Sequence, residues 1–232
     1  MSRDTHITRR QTLAGLGAAG AGLVAARLAG IPGLDGAATT RAAACILTPE
    51  QEEGPYYVDL NKVRRDITEG RPGVPLRLRT YVVDSDTCKP LKNAAVDIWH
   101  CDALGVYSDE SNQSTSGQTW LRGVQLTDSN GLGTFKTIYP GHYQGRTTHI
   151  HVKVHTGGSV VHTGQFFFTD RLSREVYRLS PYKKDTAGYQ TRATDHVYTG
   201  EHGASSVLKL KRRGSSLRRS GLIGTITLGV AT

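Results

Sequence analysis

Two imidazoles one residue apart, in the run His149-Ile150-His151-Val152-Lys153-Val154, have the spacing in this chain that most directly suggests chemistry. Polar and β-branched residues alternate there, which predicts a β-strand, and a strand's period of two sets both rings on one face, where they can share a metal ion. The pair alone does not choose the element. His-x-His occurs in zinc enzymes and ferrous sites, and also as two hydrogen-bonded histidines that hold nothing. The phenol of Tyr143, behind a Pro140-Gly141 turn, and Arg146, three residues before the first His, narrow the choice. Phenolate is a hard, strongly donating anion, so ferric iron with mixed Tyr and His ligands becomes the first candidate.

Such donors need a rigid frame, and the pattern around them supplies one. Alternation predicts strands over Val74 to Asp84, Ala95 to His100, Trp120 to Thr127, Gly133 to Ile138, His149 to His155, Val160 to Phe168 and Gly221 to Val230. Gly, Asn and Asp turns separate them, and long amphipathic helical patterns are scarce, so the expected fold is all-β, a single β-sandwich domain. The second strand breaks at Asp102 and Gly105, which throws Tyr107 onto a loop beyond the strand end, where functional side chains are commonly displayed. Residues 108 to 119 look like a mobile polar loop, and residues 46 to 57, with two prolines and no alternation, like an extended arm lying over the domain.

The first 44 residues are of another kind. Thr8-Arg9-Arg10-Gln11-Thr12-Leu13 precedes an Ala/Gly/Leu run to Gly30 that Arg27 interrupts, too weakly apolar for a membrane span. This predicts a twin-arginine export signal and linker over 1–44, no stable membrane insertion after its removal, and one mature domain over 45–232 located outside the cell or at its envelope. Ala42-Ala43-Ala44 resembles a cleavage site, and lipidation of Cys45 is not expected because the usual preceding Leu is missing. Removing this segment takes away five Arg and two Asp, so the formal charge falls from +9 to +6. Part of the remainder sits in Lys209 to Arg213 and Arg218-Arg219. No aromatic residue is interleaved there to stack on bases, which speaks against nucleic acid and leaves anionic substrates or acidic surfaces. Of the three cysteines, Cys88 and Cys101 sit at ends of neighbouring strands, so a Cys88–Cys101 disulfide is expected, with Cys45 left over.

Four stretches in order, TPEQEEGPYY (48–57), VDIWHCDALGVYS (96–108), DSNGLGTFKTIYPGHYQGRTTHIHVKV (128–154) and GQFFF (164–168), resemble the intradiol ring-cleavage dioxygenases, most closely their small exported branch. The resemblance covers most of residues 46 to 170 and is thin beyond. It implies Fe(III) held by Tyr107 in a Gly-x-Tyr-Ser motif, Tyr143 in a Pro-Gly-x-Tyr motif, His149 and His151. It also implies a catalytic Arg146 that stabilises charge on the ring, Gln165 that orients substrate, and Tyr143 as the ligand that leaves when substrate binds. The substrate would be a catechol-type ring, cleaved with O2 to a cis,cis-muconate-type product. Tyr139 rivals Tyr143, but the Pro140-Gly141 turn makes Tyr139 the last residue of its strand. His142 and Thr147-Thr148 depart from the family pattern, and His142 stands either as a further imidazole near the metal or behind the ligands or at the surface. His100 reads as structural, while Tyr56 and Tyr57 either line the pocket or pack the arm. The competing readings are a zinc or ferrous cupin-like metalloenzyme on the two histidines, and a non-catalytic transthyretin-like binding module. The helical dimerisation segment of the catechol enzymes has no counterpart, so the resemblance implies no oligomeric state.

Overall fold

A computed structural model of the chain describes residues 46–143, 145–182 and 188–232. The export signal and linker expected over 1–44, and Cys45, lie outside the described residues. Eight strands form two four-stranded sheets. β1 (Pro75–Asp84), β4 (Leu132–Ile138), β7 (Lys209–Arg212) and β8 (Leu222–Val230) form one sheet in the order β4-β1-β8-β7. The other contains β2 (Ala95–Trp99), β3 (Arg122–Leu126), β5 (His149–Thr156) and β6 (Ser159–Phe167), in the order β3-β2-β5-β6. Among the described residues, three short α-helices lie between the later strands, α1 (Asp170–Val176) and α2 (His196–Gly200) before β7 and α3 (Leu217–Ser220) before β8. None of the described helices is long and apolar enough to cross a membrane.

Alternation explains both the core and the site. Leu76, Leu78 and Val82 of β1, Phe135 of β4 and Leu228 of β8 meet Val96, Ile98, Ile150, Val152 and Phe166 between the sheets. Burying each such side chain contributes roughly 1.5–3 kcal/mol. The inward positions of β5 are thus Ile150, Val152 and Val154, so His149, His151 and Lys153 face away from the core, on the outer side of the second sheet. That face is covered by the arm. Gln51 N donates to Thr163 O at 2.9 Å, and Gln51 Oε1 accepts from Gln165 N at 2.8 Å, which closes the open edge of β6. Residues 62–67 close the other flank: Val124 N donates to Lys62 O at 2.9 Å and Ile67 N to Lys136 O at 3.0 Å, tying the β3 and β4 edges together.

Three expectations change. β7 lies within the basic run and was not predicted; Lys209 and Lys211 point to solvent while Leu210 packs on the core, so the charge blunts a sheet edge. The polar loop 108–119 is held by specific bonds and contains a 3-10 turn at Ser111–Gln113; Thr115 Oγ1 donates to Tyr107 O at 2.7 Å and Ser108 Oγ to Trp120 O at 2.8 Å. The expected Cys88–Cys101 disulfide is wrong. Cys101 is a free thiol, 2% exposed, packed with Trp99 and Tyr107 on the site side of the sheet, whereas Cys88 is disulfide-bonded elsewhere. The two flank opposite ends of β2, a five-residue strand of roughly 17 Å, several times the reach of a disulfide.

Candidate metal centre

Tyr107 and Tyr143 arrive on two loops joined at their backbones. Gly141 N donates to Asp102 O at 2.9 Å, and a Cβ on Gly105 would stand 2.2 Å from the carbonyl oxygen of His142. With φ of 82° as well, Gly105 is a position only glycine fills without strain. Asp102 Oδ1 folds the first loop by accepting from the N–H groups of Leu104 (2.8 Å) and Val106 (3.1 Å). Gln113 Oε1 then accepts from Tyr107 N at 2.7 Å, and the Tyr56 ring stacks on Tyr107 at 4.2 Å between centroids. The phenol of Tyr107 is 1% exposed.

Four rings close a circle. Centroids are 5.6 Å apart for Tyr107 and Tyr143, 5.5 Å for Tyr143 and His149, 4.6 Å for His149 and His151, and 6.3 Å for His151 and Tyr107. His149 Nδ1 lies 2.7 Å from Thr147 O; a carbonyl only accepts, so Nδ1 carries the proton and Nε2 a lone pair. That single lone pair is approached by His151 Nε2 at 3.0 Å and by the Tyr143 hydroxyl at 3.1 Å, and it can accept from one of them. The Tyr107 hydroxyl is buried and, among the described residues, makes no hydrogen bond of ordinary geometry, with the Tyr143 hydroxyl its polar neighbour. Burial pushes the Tyr107 and Tyr143 phenols up, with the adjacent Tyr143 adding to the effect at Tyr107. Burial also pushes His149 down to about 3 and His151 well below the usual histidine range, each with some help from the Arg146 charge. Four neutral donors thus converge in a dry place with fewer partners than they need. A hard trivalent cation bound by two phenolates and two imidazole nitrogens fits them, because it would engage one lone pair on each donor and supply the charge that releases the phenolic protons.

Arg146 lies beside this circle, its side chain 7% exposed. Its Nε donates to Asp195 Oδ2 at 2.9 Å and its Nη2 to Gln165 Oε1 at 2.6 Å, with Glu52 Oε1 3.6 Å from Nη1. Gln165 sits across from His151 in the β5–β6 register and donates from Nε2 to Glu52 O at 3.0 Å. Gly54 lets the arm pass over His151, where a Cβ would be 3.0 Å from the ring. Tyr56 lines the circle, edge-on to Tyr143 at 5.7 Å. Tyr57 instead packs the arm, 4.8 Å from Trp99 and under the Lys153 ammonium. Tyr139 is outside the site, in the core with Phe168, its hydroxyl 2.8 Å from Ser173 Oγ. His100 is also structural, bridging Cys101 O at 2.8 Å and Thr137 Oγ1 at 2.7 Å. His142 packs against the Tyr177 and Tyr189 rings rather than joining the circle.

Sequence reasoning missed Asp195, Trp99 and Arg122. Asp195 caps α2 by accepting from Tyr198 N at 2.8 Å while its other oxygen takes Arg146 and Thr147 N; an Asp opening a helix was the available signal. Trp99 stacks parallel on His151, 4.9 Å between centroids and 6° between planes. Arg122, 2% exposed, donates to Ser108 O at 2.7 Å and to Tyr56 O at 2.5 Å, fixing both loop and arm.

Comparison with known proteins identifies the family. Residues 52–172 match a family model described as a dioxygenase. The catechol 1,2-dioxygenase of Acinetobacter baylyi is 29% identical over 176 residues, covering 70% of this chain and 56% of that protein. The chain thus spans about half the length of the curated relative. A solved intradiol ring-cleavage dioxygenase from Tetranychus urticae is 35% identical with a TM-score of 0.75, covering 81% of this chain and 95% of that one. The dioxygenase domain of a carbohydrate-binding fusion from Streptomyces sp. SirexAA-E is 30% identical with a TM-score of 0.61, over 80% of this chain and 99% of that one. Motif order, the two-sheet frame and these alignments agree that the chain belongs to the intradiol ring-cleavage dioxygenase family.

Proposed function

We propose that this protein cleaves catechol-type rings with O2 between the two hydroxylated carbons, giving cis,cis-muconate-type products, with Fe(III) held by Tyr107, Tyr143, His149 and His151. The observation that carries the proposal is the closed circle of one buried phenol, one half-buried phenol and two buried imidazoles, with one His149 lone pair for two neighbours. When bound, ferric iron supplies the Lewis acidity that draws off the catechol protons and the electron withdrawal that opens the ring to dioxygen. A zinc or ferrous cupin-like reading is less supported: among the described residues no third His, Cys, Asp or Glu joins the two imidazoles. A non-catalytic module gives no account of why a buried, carboxylate-tethered arginine is held beside this circle.

The protein's own groups divide the remaining work. Tyr107, sealed and held by Gln113, Thr115 and Tyr56, is the phenol that stays in place. Tyr143 is half-buried, so its Oη is the site able to take a substrate proton and turn aside. Gln165, fixed on both sides by Gln51 and Glu52, orients the ring by hydrogen bonding. Arg146 holds the positive end of its pair with Asp195 beside the ring, where negative charge builds, and lowers the barrier by about 2–4 kcal/mol. Iron-loaded protein should be red to burgundy and consume oxygen with catechol while ultraviolet absorbance of a muconate grows. A colourless protein, or an extradiol product, contradicts the reading. Arg146→Leu should slow turnover about 100-fold while iron content stays near wild type, since Arg146 does not contact the four donors' shared point.

Asp195 is the counter-charge to Arg146. Burial alone would raise its carboxyl, but the Arg146 hydrogen bond and the N–H groups of Tyr198 and Thr147 outweigh it and hold the group below the usual carboxylate range. A carboxyl lowered on folding contributes stability above its unfolded pKa, about 3.9, and loses it as pH falls through the folded value. Asp195→Asn should therefore cost about 1–3 kcal/mol in urea unfolding near neutral pH, with the deficit shrinking in acid. A deficit that does not change with pH contradicts this pairing.

We also propose export by the twin-arginine route, supported by Arg9-Arg10 ahead of the weakly apolar run. Replacing both with Lys should leave the protein inside the cell in fractionation; unchanged export contradicts the assignment.

A further inference from the structure

We propose that this site selects catechols by the charge of the ring substituent, accepting neutral and cationic side chains over carboxylated ones, and that Glu52 sets the preference. The proposal rests on the catechol reading above. In a pocket whose one ring-side cation were free, an anionic substituent would be drawn to Arg146. Here two of the guanidinium nitrogens are hydrogen-bonded, Nε to Asp195 at 2.9 Å and Nη2 to Gln165 at 2.6 Å, and Glu52 Oε1 stands 3.6 Å from the third, Nη1. Of the two carboxylates, Asp195 already balances the guanidinium, so Glu52 stands as a surplus negative charge on the outer side of the pair. The buried one, Asp195, cannot turn to solvent, and the other, Glu52, is 43% exposed at the mouth.

The backbone holds Glu52 there. Its N–H donates to Glu201 Oε2 at 2.7 Å and its carbonyl accepts from Gln165 Nε2 at 3.0 Å, so the carboxylate is registered to the residue that orients the ring. Glu201 brings a further negative charge to the same rim, whereas the neighbouring Glu53 is neutralised by Lys153. His196 Nε2 lies 3.7 Å from Glu52 Oε1 on a ring 70% exposed to solvent. The other buried cation, Arg122, is on the far side of the site, 6.0 Å from the Tyr107 ring centre and committed to Ser108 and Tyr56 oxygens. Among the described residues, a carboxylated substituent reaching this rim meets carboxylates and cations that are already paired; an ammonium meets Glu52. Charges about 5–6 Å apart at a partly wet rim give roughly tenfold discrimination. The positive charge of the whole chain does not set this preference, because its basic run lies on β7 and α3 along the other sheet.

The test is a length-matched series on the iron-loaded protein: dihydroxyphenylacetate, dihydroxyphenethyl alcohol and dihydroxyphenethylamine, with plain catechol alongside. The amine should exceed the acid in kcat/KM by about tenfold or more, anaerobic Kd values from calorimetry should follow the same order, and high salt should narrow the gap. Glu52→Gln should shift the amine-to-acid ratio about tenfold toward the acid. If that variant does not fold, the salt dependence of the wild-type ratio decides. Cleavage of all four with equal efficiency, or a ratio that neither Glu52→Gln nor salt moves, overturns this inference alone. Cleavage of none overturns the catechol reading and this inference with it.

Discussion

A single lone pair, on His149 Nε2, is approached by two neighbours, and beside them the buried Tyr107 hydroxyl makes no hydrogen bond of ordinary geometry among the described residues. Buried polar groups left unmatched in this way are costly, and proteins retain them where a ligand completes the set. The rest of the molecule can be understood as the means of holding that arrangement. Thr147 O fixes the tautomer of His149, Trp99 braces His151 from behind, and the arm over Gly54 keeps water from the imidazoles.

The sandwich does this by making its second sheet two-sided. The inward residues of β5 anchor the strand in the core, and that frees the outward ones for chemistry without loosening the frame. Both tyrosines are on loops, which ordinarily wander, but the close approach of Gly105 to His142 and the Gly141–Asp102 bond make the two loops one unit. Arg146 is placed by opposed tethers, with Asp195 from α2 on one side and Gln165 from β6 on another. Its charge is thereby fixed in direction and balanced by Asp195, which leaves Glu52 as the surplus charge that makes the rim negative.

Much of this was legible in the sequence because it obeys short periods. Strand alternation located seven of the eight strands, and the same period of two set His149 and His151 on one face. The break at Asp102 and Gly105 marked Tyr107 as a displayed loop residue. What escaped notice depends on contacts across long stretches of chain. Asp195 reaches Arg146 from 49 residues away, and Gln51 reaches Gln165 from 114 away. The polar loop 108–119 looked featureless because its order comes from side chains bonding backbone, with Gln113 and Thr115 holding Tyr107. The short strand at Lys209–Arg212 was hidden by its own charge. Cys101 was misassigned because proximity in sequence to a strand end says nothing about which end Cys88 occupies.

Anomalous scattering at the iron edge from crystals of the iron-loaded protein tests the central claim most directly. One strong peak should lie at bonding distance from Tyr107 Oη, Tyr143 Oη, His149 Nε2 and His151 Nε2 together. A peak that touches the two imidazoles but neither phenol, or that lies elsewhere in the molecule, would contradict the account.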